Sequence, residues 1–421
     1  MSAEAPTSSA APTDPSGSIE AKVSVKPTQR APGSLASCSD DLIAKIEYFA
    51  VAPRWVFVRV ESSNGHVGWG EATLEGHSEA VEGALKALST WFIGFPTDNI
   101  NDIWEHAYRG KFYRGGEVLM SALSGLDIAL WDLKGKRLGV PVWSLLGGLV
   151  SNKRDKVKVY VWIGGDKPGD ILEQAKIRKE KGFTAVKMNA TEDMGWLDSP
   201  KILDSAVERL KLAQGVGLDV GLDFHGRVHR PMAKQLIQLL APHRPLFIEE
   251  PLLASHITEL AQFKHCGVPI ALGERLYTRN DFRPYFEAGV VDMVQPDVAH
   301  AGGISECMRI GRMAETYDCA FSPHCPNGPI SLLASIHMDL ALPNFGIQEM
   351  SYAIHYNTDA DLGTYILNPE VIEVVEGHIA APMAPGLGLE INEELVREAA
   401  TRYKPWANTL WRGIDGGFRE W

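Results

Sequence analysis

Downstream of Lys158, short apolar runs alternate with longer amphipathic stretches. The pattern predicts a strand at KVYVWIGG, a helix at DILEQAKIRKEKG, a strand at AVKMNA and a helix over 200–215. Six further strand–helix units follow and end near FGIQEM, with Gly and Pro at most junctions. Upstream, RWVFVRVESSNGHVGWGEA alternates apolar and polar residues on either side of Asn64-Gly65, which is a hairpin signal. Helical spacing is expected over 78–95, 99–109 and 117–138.

These elements predict an α/β fold: a small α+β domain over 41–150 and a (β/α) barrel of the TIM type over 151–367. Over 368–421 the repeat is lost. Trp406, Trp411 and Trp421 lie there, and the segment is expected to pack back on the first domain. Residues 1–40, rich in Ala, Ser, Pro and Thr, bury too little apolar surface to offset ordering entropy and are expected to be disordered. A step of about 25 residues could also suggest a solenoid. The units share strand-then-helix order but no side-chain consensus, which favours the barrel.

Polar residues end the apolar runs at regular steps. Asp223, Glu249, Glu274, Asp297, His324 and Glu349 follow one another at 26, 25, 23, 27 and 25 residues, in VGLDFHG, PLFIEEP, PIALGER, DMVQPD, CAFSPHC and FGIQEM. In a ring of parallel strands, such positions converge on one mouth, where loops are free for chemistry. Taken alone, each carboxylate would be a solvated loop residue or a helix-cap partner. Three on successive strands, Asp223, Glu249 and Glu274, make a ligand set for a hard divalent cation, Mg²⁺ with Mn²⁺ as the alternative, because oxygen-only ligation disfavours zinc.

Composition narrows the partners. A net charge of −12 argues against nucleic acid or an anionic membrane, though a bound cation leaves room for an anionic small molecule. No apolar run is long enough to span a bilayer. Five cysteines with no CxxC spacing suggest a reducing, cytoplasmic setting and no disulfide framework. Cys325, beside His324, reads as a small buried strand-end residue sooner than as a nucleophile.

Two histidines stand out. His225 follows Asp223 by two, a spacing that on a strand puts both on one face. His324 on the seventh strand has Asp297 on the sixth, and a carboxylate beside an imidazole fixes its tautomer and raises its basicity. The plainer readings are a rim residue for His225 and a satisfied core histidine for His324. Lys187 could be a base or a carboxylate's partner. Asn189, on the same face, could bond a substrate oxygen but not take a proton. Glu349 could serve an intermediate or a rim ion pair, and His300, in a strand-end loop, could touch substrate.

The segments APRWVFVRVE, HVGWGEATLEGH, YRGKFYRGGEVLMSALSGLDIALWDLKGK, VKMN, GLDFHGRV, RPLFIEEP, GERLYTR, QPDVAHAGGI, PHCPNGPI, IQEMSYAIHYN and LWRGIDGG resemble the enolase superfamily, in its mandelate racemase-like group. The resemblance runs over about residues 41–421. It implies Mg²⁺ on Asp223, Glu249 and Glu274, His324 with Asp297 as the base for an α-proton, His225 as general acid and Glu349 assisting the intermediate. It also implies that the smaller domain caps the mouth, which makes Arg54, Trp55 and the YRGKFYRGG loop candidate substrate contacts, and that the protein is a homo-oligomer. A racemase of this group carries a second lysine where Asn189 stands, so dehydration of a sugar acid is the expected reaction. D-galactonate is the expected substrate. Gluconate, mannonate, a sugar-lactone cycloisomerisation and a non-enzymatic scaffold are the competing readings.

Overall fold

The parallel strands close around an apolar floor with a polar layer directly above it, and alternation along each strand builds both. In the computed structural model, which describes residues 40–148, 154–165 and 169–420, the barrel strands are β4 (Lys156–Ile163), β5 (Ala185–Asn189), β6 (Asp219–Asp223), β7 (Ile248–Glu249), β8 (Ile270–Leu272), β9 (Met293–Val294), β10 (Ala320–Phe321) and β11 (Gln348–Met350). They are hydrogen-bonded in the order β10-β9-β8-β7-β6-β5-β4-β11, and a parallel bridge between Phe321 and Phe345 closes the ring. Tyr160, Ala185, Phe247, Ala271, Met293 and Ile347 form the floor. Two residues further on, five of these strands carry Trp162, Lys187, Glu249, Gln295 and Glu349, because side chains at i and i+2 share a face.

Helices α5 (Ile171–Glu180), α6 (Asp204–Gly215), α7 (Arg230–Leu240), α8 (Ile257–Leu260), α9 (Arg279–Ala288), α10 (Gly303–Thr316) and α11 (Pro329–Asp339) follow the first seven barrel strands. The eighth unit departs from the expected repeat. Among the described residues no α-helix lies between β11 and β12 (His378–Ala380), which pairs antiparallel with β4 inside the segment 368–421 where the repeat was expected to be lost. The disordered leader expected over 1–40 falls, except for Asp40, outside the described residues, as does the expected boundary at 150.

Ahead of the barrel stands the antiparallel sheet β1 (Ile43–Val51), β2 (Trp55–Ser62) and β3 (Val67–Glu71), with α1 (Ser78–Phe92), α2 (Ile100–Arg109), α3 (Glu117–Leu138) and the short α4 (Val142–Leu145). Helix α3 lies so close to β3 that a Cβ on Gly70 would sit 2.0 Å from the Gly125 carbonyl oxygen and one on Gly68 2.1 Å from that of Ala129. Only glycine permits that approach.

Two buried carboxylates join this unit to the barrel. Glu71 accepts from the amides of Gly328 (2.7 Å) and Ser331 (2.9 Å) at the start of α11. Asp127 accepts from the Ser305 amide (2.9 Å) and hydroxyl (2.5 Å) at the start of α10. Each supplies an acceptor to helix donors that have no partner inside their own helix. The C-terminal segment packs on both units. Helix α12 (Glu393–Ala400) pairs Arg397 with Glu47 at 3.0 Å and Glu393 with Arg59 at 3.2 Å, while Trp411 stacks over Arg227 of the barrel.

Candidate active site

A cleft of about 240 Å³ opens at the mouth of the barrel. The barrel contributes Trp162, Lys187, Asp223, His225, Glu274, Arg275, His300, His324 and Glu349 to its wall, the antiparallel unit Arg54 and Glu75, and the C-terminal segment Asn408. Of the residues singled out in the sequence, Glu249 and Asp297 are fully buried just behind this wall.

Asp223, His225 and Glu274 offer ligand atoms that all lie within 4.8 Å of one another. The pairing of Asp223 with His225 has a different origin from the expected strand alternation. The strand β6 ends at Asp223, and His225 sits beyond it in the left-handed region (φ 54°), its amide donating to Asp223 Oδ1 at 2.6 Å. A turn folds the imidazole back over the carboxylate. Glu249 is held one step behind: Lys187 Nζ reaches its Oε1 at 2.8 Å and Gln295 donates to its Oε2 at 2.7 Å. Lys187 also lies 3.8 Å from Asp223 and 2.8 Å from Glu349, so it is the partner of several carboxylates. Those carboxylates hold its pKa well above the usual lysine value, against the pull of burial.

The donor set suits a hard divalent cation. The buried carboxylates of Asp223, Glu249, Glu250, Glu274 and Glu349 outnumber Lys187 and Arg275, the permanent cations that face them. Burial, then the charge of Glu249, drives Asp223 well above its ordinary value, and burial raises Glu249. Added positive charge relieves that repulsion; of the expected ligand set, Asp223 and Glu274 lie together, joined by His225, while both Glu249 oxygens are taken by Lys187 and Gln295.

The imidazoles face opposite surroundings. His324 Nδ1 lies 2.8 Å from Asp297 Oδ2, and its Nε2 lies 3.1 Å from Glu274 Oε2. Burial alone would depress its pKa, but Glu274 and Asp297 together carry it up to about 10. Asp297 is itself fixed by the Ala299 amide (2.7 Å) and the Asn327 side chain (2.9 Å). His225 Nε2 lies 3.8 Å from Glu274, while Arg227 approaches its Nδ1 at 3.0 Å. Burial, reinforced by the charges of Arg227 and Arg275, lowers His225 to about 3.

His300 lines the cleft with its Nε2 3.3 Å from Glu75, and Asp297 and Glu75 outweigh burial to raise it to about 9. Arg54 packs over Tyr356 (4.0 Å) and Trp406 (4.9 Å) and lies 3.7 Å from Glu75. Glu349 is tied to Lys187 and accepts from the Cys325 amide at 3.1 Å. The Cys325 thiol is buried and pushed well up by that burial.

Two expected contacts do not line the cleft. Trp55, the first residue of β2, is fully buried against Phe57 and Tyr365, while Arg54, in the turn between β1 and β2, takes the cleft side. Asn189 is buried and donates to the Gly165 carbonyl at 3.1 Å. In the YRGKFYRGG loop, Phe112 and Tyr113 are exposed and the cleft wall contains none of its residues. Glu75, Arg227, Arg275 and Asn408 were missed. Glu75 and Arg227 lie inside motif segments already quoted, whereas nothing local marks Asn408.

Residues 170–395 match the enolase C-terminal domain-like family model, and residues 50–147 match the mandelate racemase / muconate lactonizing enzyme N-terminal domain. The D-galactonate dehydratase of Ralstonia pickettii is 48% identical over 90% of this chain and 100% of its own length. That of Pectobacterium atrosepticum shows the same identity and coverage. Among solved structures, an enolase from Agrobacterium radiobacter with Na and L-malate bound superposes with a TM-score of 0.80 at 28% identity, covering 90% of this chain and 99% of that one. A mandelate racemase/muconate lactonizing enzyme from Sulfitobacter sp. superposes at 0.76, with 28% identity over 88% and 96% of the two chains. The chain belongs to the enolase superfamily, in the mandelate racemase / muconate lactonizing enzyme family, whose members work with a divalent metal.

Proposed function

We propose that the protein is a hydro-lyase that dehydrates a sugar acid, with D-galactonate as substrate and a 2-keto-3-deoxy acid as product. The observation that carries this is that two imidazoles reach one carboxylate from two sides: Glu274 lies 3.1 Å from His324 and 3.8 Å from His225. A base and an acid placed in this way address adjacent carbons. His324, oriented by Asp297, takes the proton from C2. His225 gives a proton to the departing 3-hydroxyl, which leaves as water. The enol then ketonises. Each proton transfer contributes on the order of 10²–10⁴ in rate. Asp223, Glu249 and Glu274 would hold Mg²⁺ or Mn²⁺, which when bound supplies positive charge beside the substrate carboxylate, where charge builds as the C2 proton departs.

The choice of galactonate rests on the relatives that are named for it and match along their whole length. Arg54, His300 and Glu75 are assigned to the substrate's hydroxyls, Lys187 and Glu349 to its carboxylate end, and residues 41–150 to the cap that closes the mouth. No described helix is long and apolar enough to cross a membrane, and the four described cysteines are free, which supports a cytoplasmic setting. The test is a panel of aldonates incubated with Mg²⁺. Galactonate should lose the mass of one water and yield a 2-keto product. An isomer of unchanged mass would identify a cycloisomerase, and turnover of gluconate or mannonate but not galactonate would overturn the substrate assignment.

A further inference from the structure

The buried guanidinium of Arg227 points into the back of the candidate acid. It comes from the loop after β6, two residues beyond His225, and is 1% exposed. Its Nη2 lies 3.0 Å from His225 Nδ1, and its Nη1 donates to the Thr191 carbonyl at 3.4 Å. The Trp411 ring, also buried, covers the guanidinium at 4.6 Å.

Arginine has five donors and no acceptor, and it keeps its charge at any ordinary pH. A contact to Nδ1 therefore makes that nitrogen the acceptor, and the ring hydrogen must sit on Nε2, the atom that faces Glu274 and the cleft. Resting on the reading of His225 as the acid, we infer that Arg227 is a positioning residue that fixes the tautomer and ring orientation of His225, and that Trp411 of the C-terminal segment holds Arg227 in place. The planar fork and stacked face explain why arginine, rather than lysine, suits this position. The tail is thereby part of the reacting geometry and not only a packing strap.

The test uses the full chain and the dehydration assay with Mg²⁺. R227A should lower kcat by about 10²-fold, with KM within about threefold of wild type and Mg²⁺-induced thermal stabilisation retained. Guanidinium chloride at sub-denaturing concentration should restore part of that kcat and none of the kcat of H225A. R227K, which keeps the charge but loses the fork, should fall less than R227A. W411L should fall in kcat as well, and W411F, which keeps an aromatic face, should fall less than W411L. Near-normal kcat in R227A, or in R227K should R227A fail to fold, overturns the inference. So does a loss that guanidinium leaves unchanged and that is matched by loss of Mg²⁺ stabilisation, since that marks structural support alone. Near-normal turnover in H225A would instead overturn the role given to His225.

Discussion

The two flanks of the cleft are built from the same side chain and opposite electrostatics. On one flank His324 sits between the carboxylates of Asp297 and Glu274, and its affinity for a proton rises. On the other His225 is buried in the field of Arg227 and Arg275, and burial, with those charges and against Glu274, lowers its affinity. Imidazole chemistry is identical at both positions, so the surroundings set what each ring holds at rest: carboxylates keep a proton on His324, whereas burial and nearby guanidinium groups keep His225 neutral. Glu274 is common to both flanks and keeps the two rings close enough to act on one substrate.

The contrast breaks most completely if either ring is removed. H324A and H225A should each lose about 10²–10⁴-fold in kcat with unchanged far-ultraviolet circular dichroism. A variant that kept near-normal turnover would remove its flank from the chemistry. Chelation should be nearly as severe: dialysis against EDTA should abolish turnover and lower Tm, with Mg²⁺ restoring both, because the carboxylate cluster is left with its repulsion.

Substitution of Asp297 sharpens the comparison. D297N keeps the shape but removes the charge that orients His324, so kcat should fall by about 10²-fold while KM changes little. A loss confined to KM would show that Asp297 serves binding and not the base. E75Q should act more weakly, by about tenfold in kcat/KM, and should change the ranking of aldonates more than the rate on any one. An unchanged ranking would remove Glu75 from substrate reading.

The smallest effect lies outside the cleft, at the seam between the antiparallel unit and the barrel. Burial, against the donors of Ser331, Gly328 and Thr73, raises Glu71 to about 7 from an ordinary 4.5. A carboxyl that binds its proton more tightly when folded contributes stability that is complete below about pH 4.5 and lost as pH rises through 7. One unit of such a shift corresponds to about 1.4 kcal/mol. The Tm advantage of wild type over E71Q should therefore narrow from pH 4.5 to 7.5. A widening gap would mean that Glu71 is held as the anion by the start of α11.

Much of this was legible in the chain because it is periodic. Alternating apolar runs and amphipathic stretches predicted the eight parallel strands, and the regular step between chain-distant carboxylates predicted a shared mouth. What failed was local geometry read too literally. Asp223 and His225 meet through a left-handed turn past the strand end, and Trp55 turns into the core while its neighbour Arg54 reaches the cleft. The missing eighth helix left no apolar signature that distinguished it from a long loop.

Strand order, the polar ring above an apolar floor and the identity of the acidic residues follow from residue type and spacing, because alternation along a parallel strand is a property of the backbone. The partner of each titratable group does not. That Lys187 sits among Glu249, Glu349 and Asp223 depends on how four barrel strands close on one another, and that Arg227 backs His225 and Trp411 covers Arg227 from nearly two hundred residues away depends on how loop and tail pack over the mouth. Coulomb interactions and hydrogen bonds act through distance in space, and separation along the chain leaves that distance undetermined until the fold brings the groups together.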